Sequence, residues 1–191
     1  TAVNISPPQL AHAKKICHNL PVTFQEKDYR DITGRFDKIV SVGMFEHVGK
    51  KNYRTFMQMA HRCLKDTGVF LLHTIGSNVS KANSDPWINK YIFPNGVLPS
   101  LRQISKASER LFVMEDVHNL CSHYDKTLMA WNRNFQKAWP VLKKRYDERF
   151  KRMWEYYLLS CAGAFRARGI QVWQIVFTRR GSGRPQPDCR F

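Results

Sequence analysis

Two short strings in this chain combine chemically able side chains with the pattern of strand ends. One is Ser41-Val42-Gly43-Met44-Phe45-Glu46-His47-Val48-Gly49; the other is Leu71-Leu72-His73-Thr74-Ile75-Gly76-Ser77. Each begins on an apolar run and turns polar where a strand would stop. In an open α/β sheet, ligands sit at the carboxyl ends of the strands. A carboxylate on Glu46 and an imidazole on His73, projecting from adjacent strand ends, would be close enough to grip one small polar ligand. Taken alone, Glu46 and His47 read first as a loop that caps and solvates a strand end.

The elements that must position these residues follow from the apolar pattern. Phe36 to Met44 carries Ile39, Val40, Val42 and Met44, a near-continuous run that predicts a strand buried on both faces. Lys51 to Leu64 predicts a helix closed by Asp66-Thr67-Gly68, and Val69 to Leu72 a second buried strand running on into His73. Strand, helix, strand at this spacing predicts a parallel α/β sheet. Upstream, Gln9 to Cys17 predicts a helix after Pro7 and Pro8, residues suited to a first turn, and Val22 to Phe24 a short strand.

Downstream, the stretch 77–100 breaks the rhythm. Its Asp85-Pro86-Trp87, Phe93-Pro94-Asn95-Gly96 and Leu98-Pro99-Ser100 predict an ordered, aromatic, lid-like insertion. Leu101 to Glu109 predicts a helix and Leu111 to Met114 a strand. Over about 125–168 the chain predicts long amphipathic helices, with Leu128, Trp131, Phe135, Ala138 and Leu142 at helical spacing. Pro140 predicts a kink or a new helix start, and Gly169 a helix end. Ile170 to Phe177 predicts a closing strand. The organisation expected is one domain over 1–178 and a polar tail over 179–191.

Composition narrows the classes. The 191 residues suffice for one domain with its own core, and no apolar run approaches membrane-spanning length. The absence of an initiator Met predicts a fragment. Against 15 Asp and Glu stand 31 Lys and Arg, a net +16, which favours a polyanionic partner: nucleic acid, or the anionic face of a bilayer. No aromatic-basic ribonucleoprotein signature is present, so no nucleic-acid partner is expected. The five cysteines are irregularly spaced without a CxxC pair, which predicts a reduced, cytoplasmic setting, and no metal site is expected.

The strings around Glu46 and His73, followed by Asp85-Pro86-Trp87-Ile88-Asn89-Lys90-Tyr91-Ile92-Phe93-Pro94-Asn95-Gly96, resemble the cyclopropane-fatty-acyl-phospholipid synthases. The resemblance runs on through His123-Tyr124-Asp125, Leu128-Met129-Ala130-Trp131, Arg149-Phe150-Lys151-Arg152-Met153 and 161–168. It implies an α/β fold of the class I methyltransferase (Rossmann-like) type, here N-terminally truncated and with an added long-helix region. It also implies transfer of a methylene unit from S-adenosylmethionine to the cis double bond of a phospholipid acyl chain, closing a cyclopropane ring. In the family the proton leaving the substrate is thought to pass to a bound bicarbonate. By resemblance Glu46, His73, the Ile75 backbone and Tyr124 would hold that ion, and Asn4, Gln9, Asp28 and Tyr29 would contact the cofactor. The family's Asp-x-Gly-x-Gly loop has no counterpart here, so weak cofactor binding is expected of the chain alone.

The implied partner is an unsaturated phospholipid at a membrane surface, with peripheral association at the inner face; a homodimer is compatible with it. Plainer roles stand beside these. Cys161 reads as pocket-adjacent core, Trp131, Phe135 and Trp139 as a core stripe, and His47 as structural. Lys143-Lys144-Arg145 and Arg149-Lys151-Arg152 read as a solvated helix face, although each basic residue near an anionic surface gains about 1 kcal/mol. The alternatives are a related methyltransferase on another lipid, a small molecule or RNA, and a non-catalytic fragment that binds anionic membranes.

Overall fold

The structure, a computed structural model, describes residues 1–81 and 84–181. Strand β1 (Ala2–Asn4) leads into helix α1 (Pro7–Ile16), whose two prolines occupy the first turn, where a missing N–H is harmless. β2 (Phe24–Glu26) returns parallel to β1 with Glu26 opposite Asn4, forming a separate two-stranded sheet. Next come β3 (Phe36–Val42), the one-turn helix α2 (Phe45–Val48), α3 (Tyr53–Cys63) and β4 (Leu64–Ser77). They are followed by α4 (Pro86–Tyr91), α5 (Leu101–Ser108) and β5 (Phe112–Asn119). Long helices α6 (Cys121–Leu142) and α7 (Glu148–Arg166) then lead to β6 (Ile170–Arg179).

The four longer strands form one sheet in the order β3-β4-β6-β5. β3 and β4 are parallel, as the intervening helix requires, but β6 runs antiparallel to both its neighbours. The sheet is therefore mixed, where strand-helix-strand spacing predicted a parallel one. The reason is the place at which α7 delivers the chain: Ile170 pairs with Ser77, the last residue of β4, so β6 can only run back.

β3 departs from its expected burial on both faces. Val40 and Val42 are 62% and 65% exposed, and Ser41 alone is buried. The strand lies at the sheet edge, and its Val40–Val42 face, shared with Leu71 and His73 of β4, has no covering helix among the described residues. Nor does Asp66-Thr67-Gly68 close α3. β4 starts at once at Leu64, and that tripeptide sits in a bulge between the Phe36–Leu64 and Lys38–Val69 pairs.

One core lies between α3, α5 and the sheet. α3 aligns Tyr53, Phe56, Met57, Ala60 and Cys63 at helical spacing, against Phe70 and Leu72 of β4 and Trp173, Ile175 and Phe177 of β6. Burying each of the large side chains contributes about 1.5–3 kcal/mol. Helix α5 starts at a capping box between Ser100 and Gln103 and adds Ile104 and Ala107 to this core. Gly76 is where Trp173 crosses β4: a Cβ there would lie 2.0 Å from the indole ring and 2.8 Å from the Pro99 carbonyl oxygen.

A second core joins α6 to α7, with Leu128, Phe135 and Trp139 against Leu158, Ala162 and Phe165; it meets the sheet at Val172 and Ile75. Pro140 neither kinks α6 away nor starts a helix. It sits in the last turn of α6, where few bonds remain to lose, and α7 begins afresh with Asp147 capping the Phe150 amide at 2.8 Å.

Gly169 is not the left-handed residue at the end of α7; Arg168 is, at φ 61°. The Arg168 amide donates to the Phe165 carbonyl and the Gly169 amide to the Ala164 carbonyl, the bond pair of a Schellman ending with Gly169 one place further on. The closing strand runs through Arg179, which the sequence assigned to the tail; 182–191 of that tail lie outside the described residues. β5 likewise reaches Asn119, beyond its expected end at Met114.

Candidate active site

β3 stops because Gly43 turns the chain. At φ +64° its conformation favours glycine, and its amide makes the last ladder bond, to the His73 carbonyl at 3.0 Å. The chain then winds into α2, so the next outward amide on β4, that of Ile75, has lost its strand partner. The side chain of Glu46 replaces it: Oε1 accepts from the Ile75 N–H at 2.7 Å.

Glu46 is 7% exposed, and its second oxygen, Oε2, is buried with no hydrogen-bond partner among the described residues. Its surroundings come from both cores. On one side Tyr53 stacks on Phe45 at 4.3 Å and donates its hydroxyl to the Val97 carbonyl, while the Val97 amide donates to the Glu46 carbonyl. Burial, with the Glu46 charge adding, pushes the Tyr53 hydroxyl up to about 12.

On the other side stands Tyr124 of α6. Burial raises its pKa first, then the charges of Glu46 and Cys161. Burial also raises the Cys161 thiol and lifts Tyr157 to about 12. Tyr53 and Tyr124, the two hydroxyls that feel the Glu46 charge, thus keep their protons at neutral pH. A buried carboxylate oxygen in that setting calls for a donor.

Glu46, the Ile75 backbone and Tyr124 are therefore brought together. His73 stands two residues upstream on β4, half-buried, with Nδ1 3.3 Å from the Gln174 side-chain nitrogen. No hydrogen bond joins it to Glu46 among the described residues, but its side chain leaves the strand on the same face as that of Ile75. His47 is exposed and packs edgewise on Phe93, ring centroids 6.0 Å apart.

The remaining candidates gather where β1 and β2 end. Asn4 donates to Gln9 Oε1 at 2.8 Å and accepts from the Ser6 amide at 2.9 Å, which fixes both ends of its amide. Asp28, after β2, caps the turn at Tyr29–Asp31 and takes both Arg30 Nε and Arg30 Nη2. Those bonds hold its carboxyl down at about 2. Tyr29 meets Phe56 edge-on at 5.5 Å, and Phe56 meets Phe45 at 5.2 Å, so a row of rings connects this group to the residue beside Glu46.

Sequence reasoning passed over Tyr53 and Tyr157. Both sit at helical apolar spacing, and nothing in that pattern separates a plain core ring from one that carries a buried hydroxyl close to the site. Family resemblance pairs Tyr124 with Glu46; the spacing of residues alone does not show that α6 and α7 dock over the end of β4.

The sequence profile of the mycolic acid cyclopropane synthetase family matches residues 1–175. The chain is 60% identical over 177 residues to the cyclopropane-fatty-acyl-phospholipid synthase of Escherichia coli (strain K12), a match covering 93% of this chain and 46% of that protein. It thus spans about half the length of the curated relatives of this kind. Among solved structures, the cyclopropane synthase MmaA2 of Mycobacterium tuberculosis aligns with a TM-score of 0.84 at 26% identity, over 93% of this chain and 68% of that one. The mycolic acid cyclopropane synthase CmaA1, complexed with SAH and CTAB, aligns at 0.83 and 28% identity with the same coverage.

Proposed function

The chain belongs to the mycolic acid cyclopropane synthetase family, and from that premise we propose that the protein containing it is an S-adenosylmethionine-dependent enzyme that adds a methylene unit across the cis double bond of a phospholipid acyl chain. The observation that carries this reading is Glu46: a buried carboxylate with one oxygen fixed on the Ile75 amide and the other without a partner among the described residues, beside Tyr124. The name of the 60%-identical relative supports the substrate class.

The residues present suit the two small groups this chemistry needs. Asn4, Gln9, Asp28 and Tyr29 lie at the carboxyl ends of neighbouring parallel strands, where such a fold takes its ligand. Asp28, kept ionised by Arg30, retains acceptor capacity for an amine or hydroxyl. Glu46 Oε2 needs a donor, and the O–H of bicarbonate is one. When bound, S-adenosylmethionine supplies a methyl electrophile and bicarbonate a base.

What the chain contributes follows from its own side chains. Glu46 orients whatever donates to Oε2, and the Ile75 amide stops the carboxylate from rotating. Tyr124 keeps its proton and so acts as a donor beside that oxygen. An alkene under attack develops positive charge, which the ring faces of Tyr124, Tyr157 and Phe165 can stabilise. The docked α6 and α7 keep water from that charge. The net +16 supports peripheral association with an anionic bilayer. No helix among the described residues is long and apolar enough to cross a membrane.

The test uses the longer protein on vesicles of unsaturated phospholipid, with acyl products analysed by gas chromatography. Glu46→Gln is expected to lower cyclopropane formation by about 100-fold, and His73→Ala to lower it as well. Wild-type turnover in both variants would remove the site assignment. Methyl-branched acyl chains in place of cyclopropanes would replace ring closure with simple methyl transfer.

A further inference from the structure

Away from Glu46, α4 and α7 enclose an open cleft of about 280 Å³, lined by Trp87, Tyr91, Arg149, Arg152, Met153 and Tyr156. Its walls are aromatic: Trp87 stands edge-on to Tyr156 at 4.5 Å and lies 5.4 Å from Tyr91. Its rim is cationic. Arg149 and Arg152 are exposed, and neither forms an ion pair among the described residues.

Among the carboxylates nearby, Glu148 adjoins Arg149 on α7 and three others are engaged elsewhere. Asp85 caps α4 through the Trp87 and Ile88 amides, Asp147 caps α7, and Glu155 takes Lys151 and Gln136. Lys90 lies 5.1 Å over the Tyr91 ring, and the Tyr91 hydroxyl is held below its usual range by hydrogen bonding to Lys90, with Arg149 adding. Beyond them the exposed Lys143, Lys144 and Arg145 extend the same sign of charge.

We infer that this cleft holds the phosphodiester of a phospholipid headgroup at the membrane surface, between Arg149 and Arg152, with the acyl chain led inward along α7. The inference rests on the lipid reading of Glu46 and supplies it with an anchoring point. Planar guanidinium forks match phosphate oxygens, and aromatic rings with one polar end suit the boundary between lipid and water.

Apolar side chains extend inward from the cleft. Trp87, Ile88, Tyr157, Cys161 and Tyr124 all pack in the second core. Arg152 and Cys161 are nine residues apart on α7, about 13 Å along its axis, on the scale of the acyl stretch between a headgroup and a mid-chain double bond. A nucleic-acid backbone would meet the same arginines but has no use for an apolar path leading to a buried carboxylate.

The experiment is a tryptophan-fluorescence titration of the chain with dihexanoylphosphatidylglycerol below its micelle concentration. Parallel titrations use dihexanoylglycerol, inorganic phosphate and a short single-stranded oligonucleotide. Saturable binding is expected, with its signal lost in Trp87→Phe. The double variant Arg149→Gln, Arg152→Gln should bind the phospholipid at least tenfold more weakly, while Lys143→Gln, Lys144→Gln stays within twofold at physiological salt.

A double arginine variant within twofold of wild type overturns the inference, as does equal affinity for the uncharged diglyceride. Displacement by equimolar inorganic phosphate would make it a free-phosphate site, and tighter arginine-dependent binding of the oligonucleotide a nucleic-acid site; either overturns the headgroup assignment. Binding is read without turnover, and Glu46→Gln should bind the phospholipid as wild type does. A failed cleft therefore leaves the Glu46 assignment standing, and the converse holds.

Discussion

The carboxylate of Glu46 continues a β-ladder with a side chain: its Oε1 lies 2.7 Å from the Ile75 amide nitrogen, one step past the Gly43–His73 bond that closes the backbone ladder. A residue offered for chemistry is thus also part of the sheet. Substitutions at this position test both roles, and they should separate.

Glu46→Ala leaves the Ile75 amide without an acceptor and should destabilise the chain by about 1–3 kcal/mol. Glu46→Gln retains an acceptor and should lose less than about 1 kcal/mol. Urea unfolding checks this; equal losses in the two variants would mean the bond to Ile75 contributes nothing.

Gly76→Ala places a methyl group 2.0 Å from the Trp173 ring and against the Pro99 carbonyl, where backbone cannot yield. Overpacking of this kind costs about 3 kcal/mol. A thermal melt within a degree of wild type would show that the indole has room to move.

Arg168 holds a left-handed conformation at the end of α7 without being glycine, and its carbonyl accepts from the Asn78 and Gln171 side chains. Arg168→Gly relieves the backbone and keeps both bonds, so stability should rise by about 1 kcal/mol. A loss on denaturant unfolding would show that the arginine side chain matters more than its φ.

Tyrosine ionisation followed by ultraviolet absorbance should spread to both sides of 10. Tyr91, beside Lys90 and Arg149, ionises below that value, and Tyr53 and Tyr157 near 12. The folded state thus holds the Tyr53 and Tyr157 protons more tightly than the unfolded chain does. Their contribution to stability is complete below pH 10 and is lost as pH rises from 10 toward 12. Tyr91→Phe should remove the earliest phase; its survival would assign that phase elsewhere.

The β3–α3–β4 unit was legible because run lengths and helical spacing speak for strand and helix directly. Direction was not: the apolar run of β6 carries no sign, and only its delivery point at Ser77 makes it antiparallel. Val40 and Val42 misled because an unbroken apolar run reads the same whether one face or both are covered. At the end of α7 the rule that places glycine in the left-handed position put it one residue late. Glu46 and Ile75 stood out as strand-end residues and by family resemblance, whereas Tyr53 and Tyr157 shared the pattern of core rings.

Glu46 also sits on a seam. Phe45 and Tyr53 belong to one core, Tyr124 and Cys161 to the other, and the carboxylate is dry only while those two bodies are closed against each other. Shelter here is a property of a joint, not of a hollow. A gap wide enough to pass a hydrocarbon tail between α6–α7 and the sheet would wet the carboxylate in the same movement. Were a substrate of the proposed kind to enter by that route, admitting it and keeping the carboxylate dry would be separate states of the same joint, and a clamp that locked the helices down would shelter the carboxylate and shut the route together.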